Sequence, residues 1–250
     1  MYLIGDIGNT EVKICVYAKD KKLLNKIILK SNLITNKYLY NHLFFLKSKK
    51  YKLDTSIFCS VVPKIYKKIK FFVKKKLNTN CIELKEIKLD SLIKIKVNKK
   101  QIGSDRLSNA ISVIDNINNY IIVDFGTATT FDVVIKNNYL GGIIAPGVNL
   151  SLNTLISKAS LIPSLTLTSV NKVLGKNTKS AVKSGFYWGY AGLIDNLIKK
   201  IIIQTNKKYK IILTGGLSHL FKKAINDKVM IDRDLTIKGL LKAINLVKQK

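Results

Sequence analysis

Apolar and polar positions alternate in short runs over the first thirty residues. Tyr2–Asp6 is an apolar run, Val12–Ala18 alternates, Asp20-Lys21-Lys22 is a polar turn and Leu23–Leu29 is apolar again, a pattern that predicts strand, turn, strand, turn, strand. Tyr38–Leu46 reads as a helix. Ser56–Val62 reads as a short buried strand closed by Pro63, and Ile65–Leu77 as a helix with lysines on its outer face. Ser104–Ile117 opens on a capping-type residue and predicts another helix. The three-strand pattern then returns at Tyr120–Asp124, Thr130–Ile135 and Tyr139–Ala145, with turns at Gly126-Thr127-Ala128 and Lys136-Asn137-Asn138. Helices are predicted at Val148–Ser157, Ala181–Thr205 and Leu235–Val247, with a strand at Tyr209–Thr214 running into Gly215-Gly216.

The return is an internal repeat. Leu3-Ile4-Gly5-Asp6-Ile7-Gly8-Asn9-Thr10 aligns with Ile121-Ile122-Val123-Asp124-Phe125-Gly126-Thr127-Ala128. Both copies read apolar-apolar-x-Asp-x-Gly, and each leads into a strand, a turn and another strand. The chain is therefore expected to be α/β and built from two similar halves, residues 1–117 and 118–250, meeting near Asn116–Asn119.

Composition changes this picture less than it first promises. Of 250 residues, 44 are Lys or Arg and 15 are Asp or Glu, a formal net charge of +29. Such a charge suggests an anionic partner. Yet 42 of the 44 are Lys, and Arg106 and Arg233 are the only arginines. A nucleic-acid reader favours the planar fork of Arg, so the deficit argues against one. Lys, Ile and Asn together make 99 residues and share A/T-rich codons, so the charge reads mainly as a compositional background. The lysine runs at 47–50, 67–70 and 74–76 read as solvated helix faces. The start, Met1-Tyr2-Leu3-Ile4-Gly5-Asp6, lacks the basic region of a signal peptide, and the longest uncharged stretch is broken by Gly and Pro, so no membrane span is expected. Cys15, Cys59 and Cys81 lack metal-type spacing and read as reduced core residues of a cytoplasmic protein.

Because acids are scarce, their placement carries weight. Asp6 and Asp124 stand at equivalent strand-to-turn positions beside Gly, and Asp105 stands in Gly103-Ser104-Asp105-Arg106. A carboxylate at a strand end, beside a tight turn with free backbone N–H groups, suits a metal–phosphate site. Asp-x-Gly also simply makes turns; it is the duplication that favours the site. Neither a Walker-type loop nor a protein-kinase glycine loop is present, since Gly175-Lys176 lacks the upstream Gly.

Two Asp-x-Gly hairpins and a later Leu213-Thr214-Gly215-Gly216 resemble the actin/hexokinase/sugar-kinase ATPase superfamily. There, two ribonuclease-H-like halves, mixed sheets with flanking helices, face each other across a central nucleotide cleft. The ordered set Asp6–Thr10, Ser60-Val61-Val62-Pro63, Gly103–Arg106, Asp124–Asp132, Gly141–Gly147, Gly175-Lys176-Asn177-Thr178 and Ser184-Gly185 with Gly189 and Gly192 narrows the resemblance to the type III pantothenate kinase family. It spans about residues 2–216.

The resemblance implies ATP-dependent phosphorylation of the primary hydroxyl of pantothenate, the first step towards coenzyme A. It implies ATP contacts at Asp6, Ile7, Gly8, Asn9, Thr10, Glu11, Val12, Lys13 and Thr127, with adenosine at Gly215 and Gly216. Asp6 is placed near Mg²⁺, and Asp124 as ligand of a monovalent cation, potassium or ammonium. Asp105 matches the proton acceptor; Gly103, Ser104, Asp105, Arg106 and Thr178 match pantothenate contacts. A homodimer is implied as well. The family's Tyr and Pro ahead of the Gly103 motif are Lys96 and Lys99 here, and Lys96 is expected to face solvent. Phe186, Tyr187, Trp188 and Tyr190 are expected in the core or at the dimer contact. Three alternatives stay open at this level: a catalytically weak member, a regulatory relative resembling a transcription accessory factor, and a kinase of another small alcohol.

Overall fold

The computed structural model describes residues 1–48 and 51–247, and the chain divides into two compact units. Met1–Ile114, with the chain from Asp234 onward, makes the first; Asp115–Arg233 makes the second. Of the lysine run at 47–50, Lys49 and Lys50 lie outside the described residues.

The first unit contains β1 (Tyr2–Ile7), β2 (Glu11–Tyr17), β3 (Leu23–Lys30), α1 (Asn36–Leu43), β4 (Thr55–Ser60), α2 (Pro63–Lys76), β5 (Cys81–Glu83), the two-residue β6 (Lys94–Ile95) and α3 (Ser104–Val113). Its sheet runs in the order β3-β2-β1-β4-β5. β1 pairs antiparallel with β2 and parallel with β4, so it is central and buried on both faces. That is why its sequence is an unbroken apolar run. β3, at the edge, alternates exposed and half-buried positions instead. Leu3, Ile7, Val12, Ile14, Phe58, Ile69 and Val73 form the core beneath.

The second unit contains β7 (Asn119–Phe125), β8 (Ala128–Ile135), β9 (Asn138–Pro146), α4 (Val148–Lys158), α5 (Thr178–Thr205), β10 (Lys210–Gly215), α6 (Ser218–Phe221) and β11 (Val229–Ile231). The strand order is β9-β8-β7-β10-β11, the order of the first unit over again. Again the first pairings are antiparallel and the later ones parallel. The repeat implied two similar halves, and their arrangement is the duplicated ribonuclease-H-like one that the superfamily resemblance implied. The correspondence reaches single hydrogen bonds: Val61 N–H donates to Ile7 O at 3.1 Å, and Gly216 N–H donates to Phe125 O at 3.2 Å. Phe125 stacks on Phe221 at 5.1 Å and Tyr187 on Phe221 at 5.8 Å, within the second core.

The structure differs from the sequence expectations in four ways. Pro63 does not merely close a strand; it is the first residue of α2, where its missing N–H costs nothing. The helix expected over 104–117 stops at Val113, because Asp115 takes the N–H groups of Ile117 (2.9 Å) and Asn118 (2.8 Å) in a turn. The helix expected to reach Leu46 ends at Leu43 and continues as a 3-10 turn.

The fourth concerns the division at 118. The last helix, α7 (Leu235–Val247), belongs to the first unit, not to the second half. Fully buried Ser108 and Asn109 on α3 need polar partners. Thr236 supplies them: Ser108 Oγ donates to Thr236 O at 2.6 Å, and Thr236 Oγ1 to Asn109 Oδ1 at 2.8 Å. Gly239 lets the two helices touch, since a side chain there would meet the Ser108 carbonyl. No helix among the described residues is long and apolar enough to cross a membrane.

Candidate active site

In the first unit the site begins at the β1–β2 turn. Gly8 N–H donates to Glu11 O at 2.9 Å and closes the turn. Ser31 pins it from outside: its Oγ donates to Gly8 O at 2.7 Å and its N–H to Thr10 O at 3.0 Å. Asn9, Thr10 and Glu11 are exposed and line a surface pocket with Lys30 and Asn32. Ile7 and Val12 are fully buried in the hydrophobic core, so only their backbones can meet a ligand. Lys13 lies opposite Asp6 in register, and its Nζ is 3.3 Å from Asp234 Oδ1, which also accepts from Lys26 at 2.7 Å.

Asp6 stands between Lys13 on β2 and Cys59 on β4. Cys59 Sγ donates to Asp6 Oδ1 at 3.3 Å. Burial pushes this thiol well above its ordinary value, and the negative charges of Asp6, Asp105 and Glu83 push it further. The fold thus seats the Cys59 thiol against Asp6, and α3, which carries Asp105, packs on the strand that holds Cys59.

Asp105 lies in the first turn of α3, partly buried. Burial raises its carboxyl above the ordinary value, while the Arg106 backbone N–H (2.8 Å to Oδ1) and the Arg106 charge pull the other way. Gly103 caps the helix. Ser104 is 2% exposed, and its hydroxyl donates to Glu83 Oε1. That hydroxyl is taken, which the motif did not foretell. Lys96 is exposed, as expected.

The second unit has its own cluster. Asp124 is flanked in register by Thr130 on β8 and Thr214 on β10. Gly126 N–H donates to Ala128 O at 3.0 Å, leaving Thr127 exposed in the turn. Gly215 adopts φ +84°, and Ser218 Oγ donates to its carbonyl at 2.9 Å. Asp124, Thr127, Gly215 and Gly216 therefore share one end of the sheet. The Thr130 hydroxyl is buried there without a hydrogen-bond partner. Thr178 is the exposed first residue of α5, whose cap is Asn177. Tyr187 is buried, with Phe186, Trp188 and Tyr190 packed partly buried against the core.

Sequence reading missed Glu83 and the role of Cys59. Glu83 is one of only three glutamates in the chain. Cys59 immediately precedes Ser60-Val61-Val62-Pro63, and that adjacency was the available signal. Among the described residues no group of three or more His, Cys, Asp or Glu could hold a metal ion by itself.

Comparison with known proteins bears on the chemistry. Residues 2–200 match the family model described as type III pantothenate kinase. A type III pantothenate kinase of Pelagibacter ubique is 53% identical over 248 residues, covering 99% of this chain and all of that one. Among solved structures, a Baf family protein of Campylobacter jejuni has a TM-score of 0.62 at 20% identity, covering 99% of this chain and 100% of that chain. A ROK family glucokinase of Streptomyces griseus, in complex with glucose and AMPPNP, has a TM-score of 0.57 at 10% identity, covering 99% and 100%. At such identities the structural likenesses speak for the fold alone.

Proposed function

We propose residue roles on one premise: the chain belongs to the type III pantothenate kinase family. It catalyses ATP-dependent phosphorylation of pantothenate, the first step of coenzyme A biosynthesis. The observation that carries the assignment lies in the first unit: Asp6 is held at 3.3 Å by Cys59 of β4, and α3, with Asp105 in its first turn, packs on that same strand.

Phosphoryl transfer asks a protein chiefly for positioning and charge neutralisation. The acceptor is an unactivated alcohol, and Asp105 takes its proton. The burial that raises the Asp105 carboxyl makes it a better base, and such help is worth on the order of 10²–10⁴-fold. Arg106 pairs with the pantothenate carboxylate as a fork-shaped donor. Gly103 and Thr178 complete the substrate contacts; Ser104 acts through its backbone, its hydroxyl being bonded to Glu83.

ATP supplies the transferred phosphoryl group when bound. The segment Asp6 to Lys13 receives its phosphates: Gly8, Asn9, Thr10 and Glu11 at the turn, Ile7 and Val12 through backbone only, and Lys13 through the charge it now shares with Asp234. Thr127 adds a phosphate contact, and Gly215 and Gly216 receive adenosine. Mg²⁺ that arrives with a nucleotide needs only one or two carboxylates, and Asp6 provides one. Asp124, beside the unpartnered Thr130 hydroxyl, offers oxygen ligands suited to potassium or ammonium. Homodimer formation is supported by Leu161 and Leu174, 89% and 87% exposed, in the segment before α5. Three free, buried cysteines support a reducing, cytoplasmic location.

The test measures ADP release with pantothenate and near analogues in Mg²⁺ and potassium. Pantothenate-dependent release, lost when sodium replaces potassium, is expected. Release that ignores pantothenate would overturn the substrate, and release indifferent to the cation would overturn the role of Asp124.

A further inference from the structure

Gly103–Arg106 carries the proposed base and substrate contacts, yet irregular chain leads into it. Secondary structure does not fix its N-terminal side. The 3-10 turn Leu84–Glu86 and its capping residue Glu83, the last of β5, do so from both directions. Ahead of Gly103, Lys85 Nζ donates to Lys100 O at 3.1 Å and to Ile102 O at 2.9 Å. Behind it, Ser104 Oγ donates to Glu83 Oε1. The turn itself is braced: Lys85 N–H donates to Glu83 Oε2 at 2.6 Å, and Glu83 N–H to Glu86 Oε2 at 3.4 Å. β5 ties it to the sheet, with Glu83 beside Phe58 of β4 in parallel register.

We propose that Glu83 and Lys85 are positioning residues that clamp the chain on either side of Gly103 and so set Asp105 against the pantothenate hydroxyl. Neither needs to touch substrate. Hydrogen bonds to charged groups are the strong ones, and a single lysine ammonium can serve two carbonyls at once. Position matters here because a displacement of about 1 Å at a reacting group can cost roughly a hundredfold in rate. The substrate named in this inference rests on the kinase reading; the clamp does not.

The experiment compares wild type with Glu83→Ala, Lys85→Met, Ser104→Ala and the double variant Glu83→Ala/Ser104→Ala. Two readouts are taken: steady-state kinetics for ATP and pantothenate, and amide hydrogen exchange across the whole chain. Glu83→Ala is expected to raise the pantothenate KM and lower kcat, each about tenfold or more, with the ATP KM unchanged within about twofold. Exchange should accelerate at residues 100–107 and not in β1 or β2. Ser104→Ala should act more weakly in the same direction. The double variant should be no worse than Glu83→Ala, because the two changes remove one shared bond. Unchanged exchange at 100–107 in both Glu83→Ala and Lys85→Met would overturn the clamp. An equal rise in both KM values, or strict additivity of the double variant, would overturn its positioning role. If wild type releases no ADP with pantothenate, the kinase reading fails, and exchange alone decides the clamp.

Discussion

Gly215 lies against Asp124: a methyl group on its Cα would come within 2.6 Å of Asp124 Oδ1 and 2.6 Å of Phe125 O. Its φ of +84° also belongs to the region that L side chains avoid. Gly215→Ala therefore meets strain of about 1–3 kcal/mol and displaces the Asp124 carboxylate. A fall in Tm of several degrees is expected, together with loss of any stabilisation by potassium over sodium. Thermal unfolding in the two salts checks both, and a Tm equal to that of wild type would refute the contact.

Asp105 links stability to activity. Because burial raises its carboxyl above the ordinary value of 3.8, the native chain holds that proton more tightly than the unfolded chain does. Ionised Asp105 thus destabilises the fold at neutral pH, and the deficit vanishes as pH falls below the unfolded value. Asp105→Asn should unfold at a higher temperature than wild type at pH 7, while turnover falls at least about a hundredfold. Wild-type kcat/KM should decline on the acid side with a midpoint above 3.8, a limb absent from the variant's residual rate. Lower stability of the variant would contradict the burial argument.

The three thiols should be inert in the folded protein. Burial pushes Cys15 and Cys81 up to about 11 and Cys59 well above its ordinary value. Reagents attack the thiolate, so a disulfide reagent at pH 8 should titrate no cysteine natively and three after denaturation. Fast reaction of Cys59 would mean that the Asp6 environment opens.

Gly239→Ala tests the α3–α7 contact. Helix propensity alone would reward the change by about 1 kcal/mol. Here the added methyl meets the carbonyl of Ser108, so a net destabilisation of about 1–3 kcal/mol is expected from the urea midpoint. A stabilised variant would show that α7 does not press on α3.

The hairpins around Asp6 and Asp124 were legible because each is a local pattern, repeated 118 residues apart. Strand β5, helix α6 and strand β11 were not, since three or four residues hold too little of any period to read. The unit to which α7 belongs was hidden for a different reason: an amphipathic stripe says that a helix is buried, not on what. Its partner had to be found through Ser108 and Asn109, more than a hundred residues away. The same holds in the site. Asp6, Asp105 and Arg106 announce themselves by residue type and neighbours. Ser104 looks like a ligand in the motif, and only the fold shows Glu83, from twenty-one residues earlier, bonded to its hydroxyl. Ile7 and Val12 belong to the same loop as Gly8 by number but to the core by geometry.

The return of α7 to the first unit has a consequence for synthesis. Asp115–Arg233 is one continuous stretch, so everything its core requires has left the ribosome once Arg233 has emerged. The first unit, begun earlier, must wait with Ser108, Asn109 and the apolar face of α3 uncovered until residues 235–247 follow. The expected order of maturation is therefore the reverse of the order of translation. Limited proteolysis of a released chain truncated after Arg233 should find the later segment protected and the earlier one still open to cleavage.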